Sequence, residues 1–232
     1  MPILTQKTSN HFSNNQGFSL IEILVALLLA ALVFLAVPSG DSAQKHRELK
    51  TAVEDIDRSI RFASNEAVLR NTVVRLRIAM DKEPVEYFVE YGPAGNLPLP
   101  DLQNDKKSLS LEEEKQLMDK QASLNRLFTK VEEFDEIKHE LSPNVTILGL
   151  ATESQKKLVN QGDANIYFYP TGEKDASVIF FNTSEELSYI VIEPFMSETN
   201  IFYEPLKKGS VAKPEDLFQT RMDEVFREWQ SK

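Results

Sequence analysis

The run from Phe18 to Val37, FSLIEILVALLLAALVFLAV, constrains this chain more than any other part of it. At 1.5 Å per residue, roughly 20 residues of helix reach about 30 Å, the thickness of a bilayer's hydrocarbon core. Glu22 is the one ionisable residue in the run. An acid well inside a membrane helix costs about 2.5–3.5 kcal/mol on insertion scales, so it signals a function and calls for a partner. The polar stretch before it, Thr5 to Gly17, is rich in Ser, Asn and Gln and carries Lys7 as its fixed charge.

Several readings fit such a run. A secretory signal has an apolar core of about 7–15 residues and ends in a small-x-small cleavage site. Here the run is longer, the charged region before it is thin, and Val37-Pro38-Ser39 is a poor cleavage site. A plain membrane anchor explains the length and leaves Glu22 without a role. A further reading supplies the missing partner. Gly17-Phe18-Ser19-Leu20-Ile21-Glu22, followed at once by the apolar run, resembles the leader-peptidase site of type IV prepilins and pseudopilins. The resemblance implies cleavage between Gly17 and Phe18 by a prepilin peptidase and methylation of Phe18 as the new N-terminus. It also implies that Glu22 pairs with the N-terminal ammonium of a neighbouring subunit when helices stack into a fibre. Two buried opposite charges offset each other's desolvation, whereas one alone does not. Gly17 suits a cleavage site, since a residue without a side chain lets a protease approach the backbone closely. Charge leaves the orientation open: Lys7 favours a cytoplasmic N-terminus, but Lys45, Arg47 and Lys50 follow on the other side. The out-facing globular part is what the resemblance implies.

Pro38-Ser39-Gly40 marks a break where the chain leaves the apolar run. Leu49, Val53, Ile56, Ile60, Ala63 and Ala67 then recur at steps of four and three, the stripe of an amphipathic helix, with Arg58 and Arg61 outside it. Next, TVVRLRIAM (Thr72 to Met80) alternates, placing Val74, Leu76, Ile78 and Met80 on one face and Arg75 and Arg77 on the other. Val85 to Tyr91 alternates likewise. Further strands are expected at 144–150, 165–169, 177–182, 188–193 and 200–203, with turns at Pro170-Thr171-Gly172 and Asn182-Thr183-Ser184. Gly92-Pro93-Ala94-Gly95 also reads as a turn. RFASNEAVLRNTVVRLRI (Arg61 to Ile78) is similar to the helix-to-first-strand junction of GspH/FimT-type pseudopilins. IYFYPTGEKDASVIFF and YIVIEP are similar to their C-terminal strands.

Two regions depart from that pattern. Lys106 to Glu140 is a charged insertion expected to be helical, opening with a capping-box pattern at Ser110 and Glu113. Its apolar residues Leu117, Leu124, Leu127, Phe128, Val131 and Phe134 suggest one intermittent stripe. The tail after Pro214 carries Glu215 and Asp216 in its first turn and a stripe of Phe218, Met222, Val225 and Trp229. That stripe fits docking on the head or gripping another subunit.

Little in the chain speaks for catalysis. Cysteine is absent, so disulfides, thiolate nucleophiles and thiolate-bound metals are out. His11, His46 and His139 form no spaced ligand pair. No nucleophile elbow or phosphate-binding loop is present, and Glu112-Glu113-Glu114 reads as a solvated helix face. The Asp- and Asn-bearing loops leave a calcium site open, without EF-hand spacing. With 26 Lys and Arg against 36 Asp and Glu, a net charge of -10, nucleic acid is not an expected partner.

The expected fold is α+β and pilin-like: a long N-terminal helix, half transmembrane and half amphipathic, packed on an antiparallel β-sheet head. A helical insertion (about 106–140) and a C-terminal helix are added to it. The expected divisions are a leader (1–17), a transmembrane helix (18–38), its amphipathic continuation (39–71), a periplasmic head (72–206) and a C-terminal helical extension (207–232). The resemblance implies a non-enzymatic minor pseudopilin of a type II secretion system, needing no metal or cofactor. It would span the bacterial inner membrane once, with its head in the periplasm. Its partners would be prepilin peptidase and other major and minor pseudopilins. A minor pilin of a type IV pilus, serving assembly or DNA uptake, is the alternative within the family. A membrane-anchored periplasmic binding module that never polymerises is the alternative outside it.

Overall fold

A computed structural model describes residues 19–36, 41–94, 111–205 and 214–231. The chain forms two compact units, Met1–Asp41 and Ser42–Lys232. Helix α1 (Leu20–Ala36) belongs to the first. The second is the head, and it opens with the long helix α2 (Asp41–Arg70).

The stripe read from the sequence is what holds α2 in place. Leu49, Ala52, Val53, Ile56, Ile60, Ala63 and Ala67 are all buried in the main core. Each fully buried Leu or Ile is worth about 1.5–3 kcal/mol over leaving it in water. The opposite face carries exposed pairs such as Lys50 with Glu54 at 3.8 Å, and Arg58 with Asp55, worth only about 0.3–0.5 kcal/mol each. Packing therefore dominates. The helix ends at Asn71, whose φ of 51° is a left-handed turn that Asn tolerates better than other non-glycine residues.

Among the described residues, eight strands follow in two antiparallel sheets. The first has the order β3-β2-β1-β5, built from β1 (Thr72–Ala79), β2 (Glu86–Ala94), β3 (Thr129–Lys130) and β5 (Asp163–Phe168). The second has the order β4-β6-β7-β8, from β4 (Thr146–Thr152), β6 (Ser177–Asn182), β7 (Glu186–Ile192) and β8 (Asn200–Pro205). Alternation does its expected work: Val74, Leu76 and Ile78 of β1, Ile166 and Phe168 of β5, and Ile179 and Phe181 of β6 share the core with the α2 stripe. The α+β, pilin-like layout holds: a long helix packed on antiparallel sheets, with a C-terminal helix added.

Gly92, Pro93 and Ala94 belong to β2 and form no turn there, with Ala94 opposite Thr72. Gly-Pro ordinarily breaks a strand, but β3 pairs with β2 only at Glu90 and Tyr91, so the proline sits beyond that ladder. The Pro170-Thr171-Gly172 turn forms as expected: Gly172 takes a φ of 84°, and its N–H donates to Tyr169 O at 3.0 Å.

The insertion is only partly helical. Helix α3 (Leu111–Asn125) stops before the last apolar residues of the expected stripe, and a turn, β3 and the short helix α4 (Glu132–Asp135) follow it. Four stripe residues follow the helix, and they share no single face because Leu127 and Phe128 fall in the turn before β3 while Val131 and Phe134 come after it, Phe134 packing against the main core. Leu127 is exposed, Phe128 packs with Val73 and Tyr167, and Val131 reaches the main core. Ser110 and the side chains of Glu113 and Leu117 lie outside the described residues.

Helix α5 (Pro214–Gln230) settles the open question about the tail, because it docks on the head itself. Phe218, Met222 and Val225 are buried, and the last two pack with Ala151, Val178, Phe180 and Tyr189 on the outer face of the second sheet. This explains why β6 is apolar nearly throughout: both of its faces are covered. Arg221 fixes the contact with two bonds to Glu204 of β8, at 2.8 and 2.9 Å, which hold that carboxyl below its ordinary range.

Candidate functional site

Of the residues expected to carry assembly, Glu22 lies in the first turn of α1, where Glu22 N and Ile23 N donate to Ser19 O at 2.9 and 3.2 Å. An acid at that end complements the helix dipole. Gly17 and Phe18 lie outside the described residues. Every described side chain of α1 is exposed, among them Leu20, Ile21, Leu24, Leu27 and Leu28. A helix that is apolar all round is built to be surrounded, by lipid or by other helices. Among the described residues no helix is long and apolar enough to cross a membrane; α1 is described over 17 residues, and positions 18, 37 and 38 of the expected span fall outside them.

The head carries a second concentration of charge that sequence reasoning missed. On the outer face of the first sheet Arg75 is buried, with Nε and Nη2 each 2.6 Å from Glu90 Oε2. Its Nη1 donates to Asn125 Oδ1 at 2.7 Å, and its guanidinium lies 4.0 Å from the centre of the Phe128 ring. Arg77 shares the same acid, Nε to Glu90 Oε1 at 3.0 Å, and reaches Asp163 at 3.2 Å. The insertion therefore closes over a buried ion pair through Asn125 and Phe128. The alternation placed Arg75 and Arg77 on one face. What it lacked was the cover, which comes from some fifty residues along the chain. A neighbouring junction ties α4 to the end of α2: Arg70 donates to Glu66 at 2.9 Å and Glu133 at 3.0 Å, and Tyr91 bonds Glu66.

Beside β5, Asp175 is buried and accepts from Ser154 Oγ at 2.8 Å and Ser154 N at 3.4 Å. Burial pushes its carboxyl up to about 6, with Glu153 adding to the shift against the Ser154 bonds. A carboxyl raised in the folded state stabilises the fold fully below its unfolded value near 3.8, and that contribution is lost as pH rises through 6. The gain from pH 7.5 to pH 5 is about 1.4 kcal/mol, of about 3 in full. Urea midpoints are expected to rise on acidification over that window, and Asp175→Asn, which keeps an acceptor for Ser154, flattens the rise. An unchanged pH profile in that variant would refute the assignment.

Among the described residues no group of three or more His, Cys, Asp or Glu is placed to hold a metal ion. Residues 12–38 match the prokaryotic N-terminal methylation motif. This indicates the type IV pilin and pseudopilin superfamily, whose members are typically non-enzymatic structural subunits. The motif implies processing by prepilin peptidase and an N-terminal hydrophobic anchor. No curated protein and no solved structure matches the chain.

Proposed function

We propose that this chain is a minor pseudopilin, a structural subunit of the GspH/FimT type in a type II secretion pseudopilus. The leader 1–17 is removed by cleavage between Gly17 and Phe18, and Phe18 is N-methylated. The span 18–38 holds the protein in the bacterial inner membrane, with its head in the periplasm. Glu22 pairs with the N-terminal ammonium of a neighbouring pseudopilin, so the acid sets the register of stacked helices. One observation carries this reading: a single exposed carboxylate in the first turn of an otherwise apolar helix, directly behind Gly17 and Phe18. Its support from the head is the long α2 laid on antiparallel sheets.

Mass spectrometry of the mature N-terminus, on protein made in cells with a prepilin peptidase, tests it. The expected product begins at Phe18 with one added methyl group. An N-terminus beyond Pro38 would mean a secretory signal, and a retained leader would mean a plain anchor. Copurification with a secretion fibre or with a surface pilus separates the two systems.

A further inference from the structure

At one end of the second sheet, a cavity of about 690 Å³ opens between the end of α5 and the strand ends. Val191, Pro194 and Trp229 form its apolar wall, and Glu153, Glu193 and Lys156 its charged rim. Gln230, also in the lining, donates to Lys156 O at 3.1 Å. Directly after Pro194, the loop to β8 presents Phe195 and Met196 to solvent, 78% and 57% exposed. Single exposed apolar residues need no explanation, but here two adjacent ones follow directly on Pro194 of the groove's lining.

The loop is held in that posture from beneath. Lys174 is buried, and its ammonium donates to Met196 O at 2.6 Å and Ser197 O at 3.4 Å. Burial lowers its affinity for the proton, and the Asp57 carboxylate acting through space opposes this. Asp57 in turn bonds Thr199, at the far end of the same loop, and Arg61. Lys174 at one end and Asp57 at the other thus tie the loop to the body of the head, with its two apolar side chains left in water. Such an arrangement pre-organises a contact, which removes the ordering cost that binding would otherwise carry.

We propose that this groove and its stapled loop dock a partner protein through an apolar side chain flanked by basic residues. Charge decides the partner's chemistry. The rim holds Glu153 and Glu193 against one Lys156, Glu198 stands exposed on the loop, and the chain as a whole is at -10. The same groove on a second copy of this chain would bring acid against acid. A cationic segment meets complementary potential and is steered toward the site. Every residue of the site belongs to the head unit, Ser42–Lys232.

Trp229 is the only tryptophan in the chain, so its emission reports occupancy of the groove directly. The test titrates the full chain in detergent micelles with three probes: a blocked Arg-Leu-Leu-Arg peptide, its Glu-Leu-Leu-Glu twin, and a chitin tetrasaccharide. The arginine peptide is expected to shift the emission saturably and to bind roughly tenfold more tightly than its acidic twin. The pair Glu153→Gln with Glu193→Gln removes that preference. Phe195→Ser with Met196→Ser weakens both peptides at an unchanged urea midpoint, since both side chains are already in water. Glu22→Ala leaves binding untouched, which keeps this result separate from the assembly reading. Equal binding of the two peptides, no saturable shift below about 1 mM, or a response to the saccharide alone would each overturn the proposal.

Discussion

Glu22→Ala is expected to leave the protein inserted and processed while removing it from the fibre. The two halves of that outcome pull in opposite directions, and this gives the substitution its power. Taking an acid out of an apolar helix favours insertion by about 2.5–3.5 kcal/mol, so a plain anchor would be improved by the change. A subunit whose Glu22 answers a neighbour's ammonium instead leaves that ammonium buried without a counter-charge, a loss of about 3–5 kcal/mol per contact. At 1.4 kcal/mol per factor of ten, that is at least a hundredfold in the association of each subunit. Glu22→Gln keeps the shape and a polar oxygen but no charge, and it should fail in the same way. The measurement is the share of protein recovered with sheared fibres against the share left in the membrane fraction, with the N-terminus of both sequenced. Wild-type incorporation of the alanine variant would end the charge-pairing account and return Glu22 to a passive place on an anchor.

Features governed by local periodicity were legible before the structure, and features that depend on distant cover were not. The α2 stripe needs only steps of three and four, and all six residues picked out by spacing are buried in the core. The strand cores at β1 and β6 were likewise visible from alternation and from an apolar run bounded by turn residues. The failures share one cause. Leu127, Phe128 and Val131 looked like a continued helix because a short apolar run fits either period, and only the pairing of Thr129 and Lys130 with Tyr91 and Glu90 makes it a strand. Pro93 looked like a terminator because nothing local says that β3 ends before reaching it. No local pattern marked Lys174 and Asp175, and their burial follows from the passage of 173–175 beside β5, where Asp175 N bonds Tyr167 O at 2.8 Å. At the N-terminus the position is reversed. The hexapeptide at Gly17 to Glu22 is a chemical signature read directly from residue types, and it falls within the methylation motif matched at residues 12–38.

Glu90→Leu is the change in the head expected to do most damage, and the reason lies in what it leaves behind. Arg75 is 2% exposed and cannot shed its charge, since a guanidinium stays protonated at any pH a protein meets. With Glu90 gone, its remaining partners, Asn125, the Phe128 ring and the Tyr167 hydroxyl, carry no counter-charge. Removing one member of a buried pair typically costs about 3–5 kcal/mol, a large part of the total stability of a domain this size. The variant should therefore unfold at a much lower urea concentration, with exposure of the Phe128 face preceding the main transition. Restoring neutrality tests whether charge is the cause: Arg75→Met with Glu90→Leu should recover most of the loss, because a well-packed apolar pair often matches a buried ion pair. Arg77 keeps Asp163 at 3.2 Å in both variants, so it adds no new unpaired cation to the comparison. If the double variant is as unstable as Glu90→Leu alone, the damage comes from lost packing under the insertion, and the buried pair is not what holds that strap to the sheet.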